Sequence, residues 1–299
     1  MHRSAARSGA VLLLLMFTCG SVATLVAQMV VHFGLGIPVL TQPELLNGTD
    51  VEAMVPALRI VQLLGGAGLL VVSPLVWLWL RNEPLPNWRG LVRQPLLISA
   101  ALMPVALPLV NWLAGFNEGL VFPIPAIHEW MRASEDQALQ LTVAFMHMPT
   151  VWHLVFNLLM LAVVPAVGEE LIFRRIIQRG LAQRWGNIHL AVWVSAALFS
   201  AIHMQFFGFI PRLILGAGLG YLFAFSGRLA NPVVAHFVNN AMAVVLVYGQ
   251  ANGMVREGVD ATGRDNPLQA LFSLAMVMML MYLLAAWGRL QGSKADKTV

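Results

Sequence analysis

Apolar residues in this chain fall into runs of about 20, enough for a helix to cross a bilayer, and polar residues collect between them. Eight spans are predicted, near residues 9–32, 57–80, 95–115, 148–178, 187–206, 208–226, 229–249 and 268–288. The connections are too short for a soluble domain. The chain shows no internal repeat, no low-complexity tract and no Walker or Rossmann glycine pattern. The expected fold is all-α, a polytopic transmembrane helical bundle.

Composition agrees with that pattern. Of 299 residues, 59% are hydrophobic and 11% are charged, with a mean hydropathy of +0.74. A soluble domain carries about 25% charged residues, so this chain lacks the polar surface to coat a globule. The net charge of +4 and pI near 9.8 do not point to nucleic acid, because Lys and Arg are spread over the ends of apolar runs. Cys19, the single cysteine, excludes an intrachain disulfide and a thiolate metal cluster, and reads as an inert buried thiol. The first run exceeds the roughly 7–15 residues of a signal-peptide core, so an uncleaved helix is expected.

The loops set the orientation. Arg3 and Arg7 precede span 1, and Arg81, Arg89 and Arg93 separate spans 2 and 3. Arg179 and Arg184 follow span 4, Arg228 separates spans 6 and 7, and Arg289, Lys294 and Lys297 follow span 8. The alternate loops are acidic or mixed, with Glu44, Asp50 and Glu52 in the first and Arg256, Glu257 and Asp260 in the last. This asymmetry places both termini in the cytoplasm; Arg212 alone sits awkwardly. Gly65, Gly66, Gly68, Gly216 and Gly220 are read as close-packing points. Trp77, Trp79, Trp88, Trp185 and Trp287 are read as interfacial anchors. The sequon Asn47-Gly48-Thr49 falls on the predicted outer side.

Ionisable groups within spans cost about 2.5–3.5 kcal/mol each on insertion scales, so each needs a partner or a task. Four places stand out. In Gly168-Glu169-Glu170-Leu171-Ile172-Phe173-Arg174, Glu170 and Arg174 are spaced i,i+4 and can pair. Glu169 is rotated by about 100° from Glu170 and has no such local partner. A buried carboxylate of that kind suits a general base, whereas a solvated helix end would make both glutamates ordinary. Phe199 lies one turn before His203 in span 5, and His236 lies one turn before Asn240 in span 7. Imidazole can accept a proton, donate to an oxyanion or bind a metal, and a carboxamide can donate. His153 and Asn157 repeat the His-x-x-x-Asn spacing in span 4, so the spacing alone carries little weight.

Taken in order, Glu169-Glu170-x-x-x-Arg174, Phe199-x-x-x-His203 and His236-x-x-x-Asn240 resemble the three motifs of the CAAX protease and bacteriocin-processing (CPBP, or Abi) family of intramembrane proteases, which includes the type II CAAX prenyl endopeptidases. The resemblance covers roughly residues 150–245. It implies peptide-bond hydrolysis within the membrane, with Glu169 and His203 activating water and His236 and Asn240 stabilising the oxyanion. Glu170, Arg174 and Phe199 would support them. It also makes a divalent metal such as zinc, held by Glu169, His203 and His236, a candidate cofactor, although the His-Glu-x-x-His helix motif is absent and a metal-free water stays open.

The chain is then expected to divide into N-terminal helices and loops (1–145), a protease-like core (146–250), and a last span with its tail (251–299), all within one membrane domain. The expected partners are the lipid bilayer and a membrane-associated peptide or protein substrate, in a bacterial cytoplasmic membrane. Substrate identity and oligomeric state are not encoded in any motif. A non-catalytic scaffold or bacteriocin-immunity protein, and a proton-coupled transporter, are the alternatives. The protease reading makes a structural demand: span 4 must be long enough to bury Glu169, ending near Arg179 rather than at the glutamates. The loop 116–147, with Pro123, Pro125, His128, Trp130 and Met131, is expected to form a short surface helix over the site.

Overall fold

The computed structural model describes residues 2–42, 51–86, 93–256, 258–259 and 261–296. Glu44, Asp50, the Asn47-Gly48-Thr49 sequon, Trp88, Arg89, Glu257, Asp260 and Lys297 lie outside the described residues. The structure is 82% helical, and among the described residues there is no strand. Among the described residues, seven helices are long and apolar enough to cross a membrane: Gly9–Gly34, Ala53–Leu80, Pro95–Glu118, Val151–Trp185, Phe206–Ser226, Ala230–Ala251 and Pro267–Leu290. The protein is an integral membrane protein of all-α architecture.

The predicted span at 187–206 is the exception. It forms a helix of 14 residues, Ile188–Ala201. At 1.5 Å per residue this rises about 21 Å, short of the roughly 30 Å hydrocarbon core. Asn187 caps its start, its side chain accepting from the Leu190 N–H at 3.0 Å. Beyond Ala201, Met204 takes a left-handed backbone conformation (φ 55°), which no helix can continue. A 3₁₀ turn, Phe206–Gly208, leads into the next helix. Pro211 falls in the first turn of that helix, where its missing N–H costs no bond.

The chain forms two compact units: Met1–Asn87 with Gln140–Ile172, and Trp88–Leu139 with Phe173–Val299. The first unit contains α1 (His2–Gly34), then α2 (Val51–Ala67) running through a π-helical turn (Gly68–Val72) into α3 (Ser73–Leu80). It also contains α6 (Val151–Asn157), a π-helical stretch (Leu158–Val163) and α7 (Val164–Glu170). Lipid supplies no hydrophobic drive between helices, so close van der Waals approach must hold them. A Cβ on Gly68 would lie 2.3 Å from Ala23 Cβ and 2.7 Å from the Cys19 carbonyl oxygen. Gly65 meets Thr24 in the same way, whereas Gly66 faces open space and is no packing point. Cys19 is half-buried, contributing its backbone rather than its thiol to this contact.

The second unit holds α4 (Arg93–Glu118), most of α5 (Pro125–Met146), the π-helical stretch Leu171–Gln178 from Phe173 onward and α8 (Arg179–Trp185). It continues through α9 (Ile188–Ala201), α10 (Phe209–Ser226), α11 (Ala230–Ala251) and α12 (Pro267–Asp296). Its core joins Leu102 and Met103 of α4 with Leu219 and Leu222 of α10, Ala235 of α11 and Leu284 of α12. Val192 and Ala196 of α9 pack on Ala217 of α10. Gly216 and Gly220 make that approach possible: Cβ atoms there would lie 3.2 Å from the Phe199 ring and 2.8 Å from Gln178 Oε1. The surface helix expected within 116–147 is α5, with 22 residues.

Candidate active site

The helical span Val151–Trp185 has 35 residues and runs past both glutamates before ending at Gly186, whose φ of 63° closes it. Glu169 is 8% exposed and Glu170 is fully buried. Span 4 is therefore long, and the reading of the glutamates as a solvated helix end is set aside. Gly168 brings the helix backbone onto the π-helical turn of the first unit: a Cβ there would lie 2.6 Å from the Leu70 carbonyl oxygen. Glu169 follows directly on this contact, with π-helical stretches on both sides of α7. π-Helical turns within α-helices are frequent at functional sites.

In the second unit Arg174, His203 and His236 gather around the Phe199 ring. Phe199 lies edge-on to His203 (ring centroids 4.9 Å apart) and to His236 (5.9 Å). The Arg174 guanidinium is 5.2 Å from the same ring, and Phe173 packs edge-on at 5.2 Å. Three stretches of chain far apart in sequence thus converge: the π-helical stretch after Glu170, the end of α9, and α11. Arg174 is fully buried and donates to the Gly216 carbonyl at 3.1 Å.

The two imidazoles are set differently. His203 lies just past the end of α9, with Nδ1 2.7 Å from the Phe199 carbonyl oxygen. A carbonyl only accepts, so Nδ1 carries the proton and Nε2 is the atom that can take one up or meet a ligand. His236 is 5% exposed, on the second turn of α11. Asn240 lies one turn further, and its Oδ1 accepts from Asn239 Nδ2 at 3.1 Å. A carboxamide nitrogen is the kind of donor an oxyanion takes.

His153 and Asn157 have the same spacing and a different setting. His153 Nδ1 is 2.7 Å from Thr150 Oγ1 at the start of α6. Asn157 is fully buried and donates to the Phe145 carbonyl at 2.6 Å. Arg59, an ionisable group the sequence reading passed over, donates to the carbonyls of Phe145 and His147, each at 2.8 Å. Both side chains satisfy backbone acceptors at the end of α5, which is structural work. The signal was present: a lone Arg inside the run 57–80. Arg212, awkward for topology, bonds Gln205 through its side-chain oxygen at 2.7 Å and its carbonyl at 3.3 Å, closing the turn after His203.

Among the described residues no group of three or more His, Cys, Asp or Glu is arranged to hold a metal ion.

Residues 151–242 match the family described as type II CAAX prenyl endopeptidase Rce1-like. The chain is 30% identical to CAAX prenyl protease 2 of Arabidopsis thaliana, over 31% of this chain and 36% of that protein. It is 27% identical to the uncharacterized protein YpbD of Bacillus subtilis (strain 168), over 29% of this chain and 43% of that one. The chain thus spans less than half the length of these curated relatives. No solved structure matches it at a significant level. The matched segment contains every residue of the three motifs, and the resemblance they carried is shown over that segment.

Proposed function

We propose, from the membrane protease family that residues 151–242 match, that this protein is an intramembrane endopeptidase cutting a peptide bond in a membrane-associated protein or peptide. Glu169 is the general base that draws a proton from the attacking water, with His203 Nε2 sharing that task. The hydroxide adds to the scissile carbonyl carbon, and His236 and the Asn240 amide donate to the oxyanion. Collapse of the tetrahedral intermediate breaks the C–N bond, and the proton taken from water passes to the leaving amine. Glu170 and Arg174, four residues apart, support the base from the same helix. A general base contributes about 10²–10⁴ in rate and an oxyanion donor about 10²–10³.

The observation that carries this reading is the single Phe199 ring with His203, His236 and Arg174 around it. Buried ionisable groups in a membrane span mark a functional site by default. The Arabidopsis relative is named a CAAX prenyl protease, which makes a prenylated C-terminal tail the first substrate class to try. The proposed location is a bacterial cytoplasmic membrane, in keeping with the compact chain and its short loops.

The test compares peptide ends in membranes from cells expressing wild type or Glu169→Gln. Gln keeps the size of the side chain and removes its basicity. Ends that depend on wild type should vanish in the variant while both proteins accumulate equally. Identical ends in both would remove the hydrolase mechanism and favour a non-catalytic scaffold.

A further inference from the structure

His203 is not held by a helix. It lies in a turn whose next residue, Met204, adopts φ 55°, a conformation disfavoured for a side chain of this kind. Such residues persist only where the surroundings over-determine them. The surroundings here are specific. Asn117, in the last turn of α4, is 2% exposed and uses both ends of its carboxamide on the segment following His203. Its Nδ2 donates to the Phe206 carbonyl at 3.0 Å and its Oδ1 accepts from the Ile210 N–H at 2.6 Å. From α5, Glu135 accepts from the Phe207 N–H at 3.4 Å, and the Arg132 guanidinium lies 3.6 Å from the Phe207 ring centroid. His128 and Trp130 meet the rings of Phe207 and Phe206, with centroids 5.6 and 5.0 Å apart.

Such a clamp exceeds what a connection between helices needs. The Phe206 carbonyl and the Phe207 and Ile210 N–H groups would find water in an exposed loop; here protein side chains fix all three. We infer that Asn117, assisted by Glu135, is a positioning residue that locks the strained turn at Met204 and so fixes where the His203 imidazole points. The functional part of this rests on the reading of His203 as a residue of the hydrolytic site. Without the clamp, the turn relaxes to ordinary backbone geometry and His203 leaves its bond to Phe199.

The experiment uses the full chain in lipid nanodiscs and measures His203 carbethoxylation by diethyl pyrocarbonate, read by mass spectrometry. Asn117→Ala should raise the His203 rate about tenfold or more, the scale of leaving buried backbone groups unpaired. Asn117→Asp, which keeps the acceptor and loses the donor, should fall between. Met204→Gly removes the strain, so adding it to Asn117→Ala should return the rate toward wild type; a role in general packing predicts no such rescue. Wild-type-dependent cleavage should fall in the same order, through turnover rather than KM. An unchanged His203 rate in Asn117→Ala overturns the proposal. If Asn117→Ala fails to accumulate, Asn117→Asp and Glu135→Gln decide by the same measurement. Glu169→Gln separates the two claims. Cleavage surviving in Glu169→Gln removes the hydrolase reading and leaves the clamp to the labelling result. Cleavage lost there but intact in Asn117→Ala, with labelling raised, denies the clamp its functional role.

Discussion

His153 and Asn157 in α6, and His236 and Asn240 in α11, share one spacing and one pair of side-chain chemistries. In the first pair the histidine bonds a threonine hydroxyl at a helix start, and the buried asparagine satisfies a backbone carbonyl at the end of α5. In the second pair the histidine is buried against the Phe199 ring that also meets His203 and Arg174. The asparagine one turn on is half-buried, its oxygen occupied by Asn239. Both pairs present the same pattern along a helix. What separates them is what each histidine meets: a hydroxyl at its own helix start, or an aromatic ring shared with His203 and Arg174.

The comparison breaks first at Asn240. Asn240→Ala should lower wild-type-dependent cleavage by about 10²–10³, the loss expected for one oxyanion donor, with little change in thermal stability. Next comes Asn157→Ala, which removes one of two donors to the buried Phe145 carbonyl and leaves Arg59 as the other. It should destabilise the fold by about 0.5–1.5 kcal/mol, the net loss of one hydrogen bond, seen as a lower melting temperature, while cleavage per folded molecule is kept. The smallest effect is at His153, where Ala should change stability by no more than about 0.5 kcal/mol because a half-buried helix start tolerates the loss. A fall in cleavage at Asn157 larger than its fall in stability would blur the distinction.

The sequence made the long spans legible because about 20 apolar residues have few other uses. Seven of the eight predicted spans are long helices, and Ile188–Ala201 is short for a reason that hydropathy does not record. Residues 202–206 remain apolar enough to extend it, but Met204 and the contacts from Asn117, Glu135 and Arg132 turn the chain instead. Those partners lie far away in sequence. The motifs were legible because ionisable residues in apolar runs stand out; their gathering around Phe199 was not, since it depends on how α9, α11 and the stretch after Glu170 pack. Gly168 reads as one small residue among many, and only its approach to Leu70 shows why a Cβ is excluded beside Glu169. Arg59 stood out chemically, yet its capping role at Phe145 and His147 required the tertiary fold.

The central claim is that the His236 imidazole takes part in chemistry and the identically spaced His153 in α6 does not. Membranes carrying His236→Ala or His153→Ala, matched for protein level, would be compared with wild type for newly formed peptide ends. The account predicts that these ends are lost in His236→Ala and retained in full in His153→Ala. Equal cleavage in the two variants would contradict it.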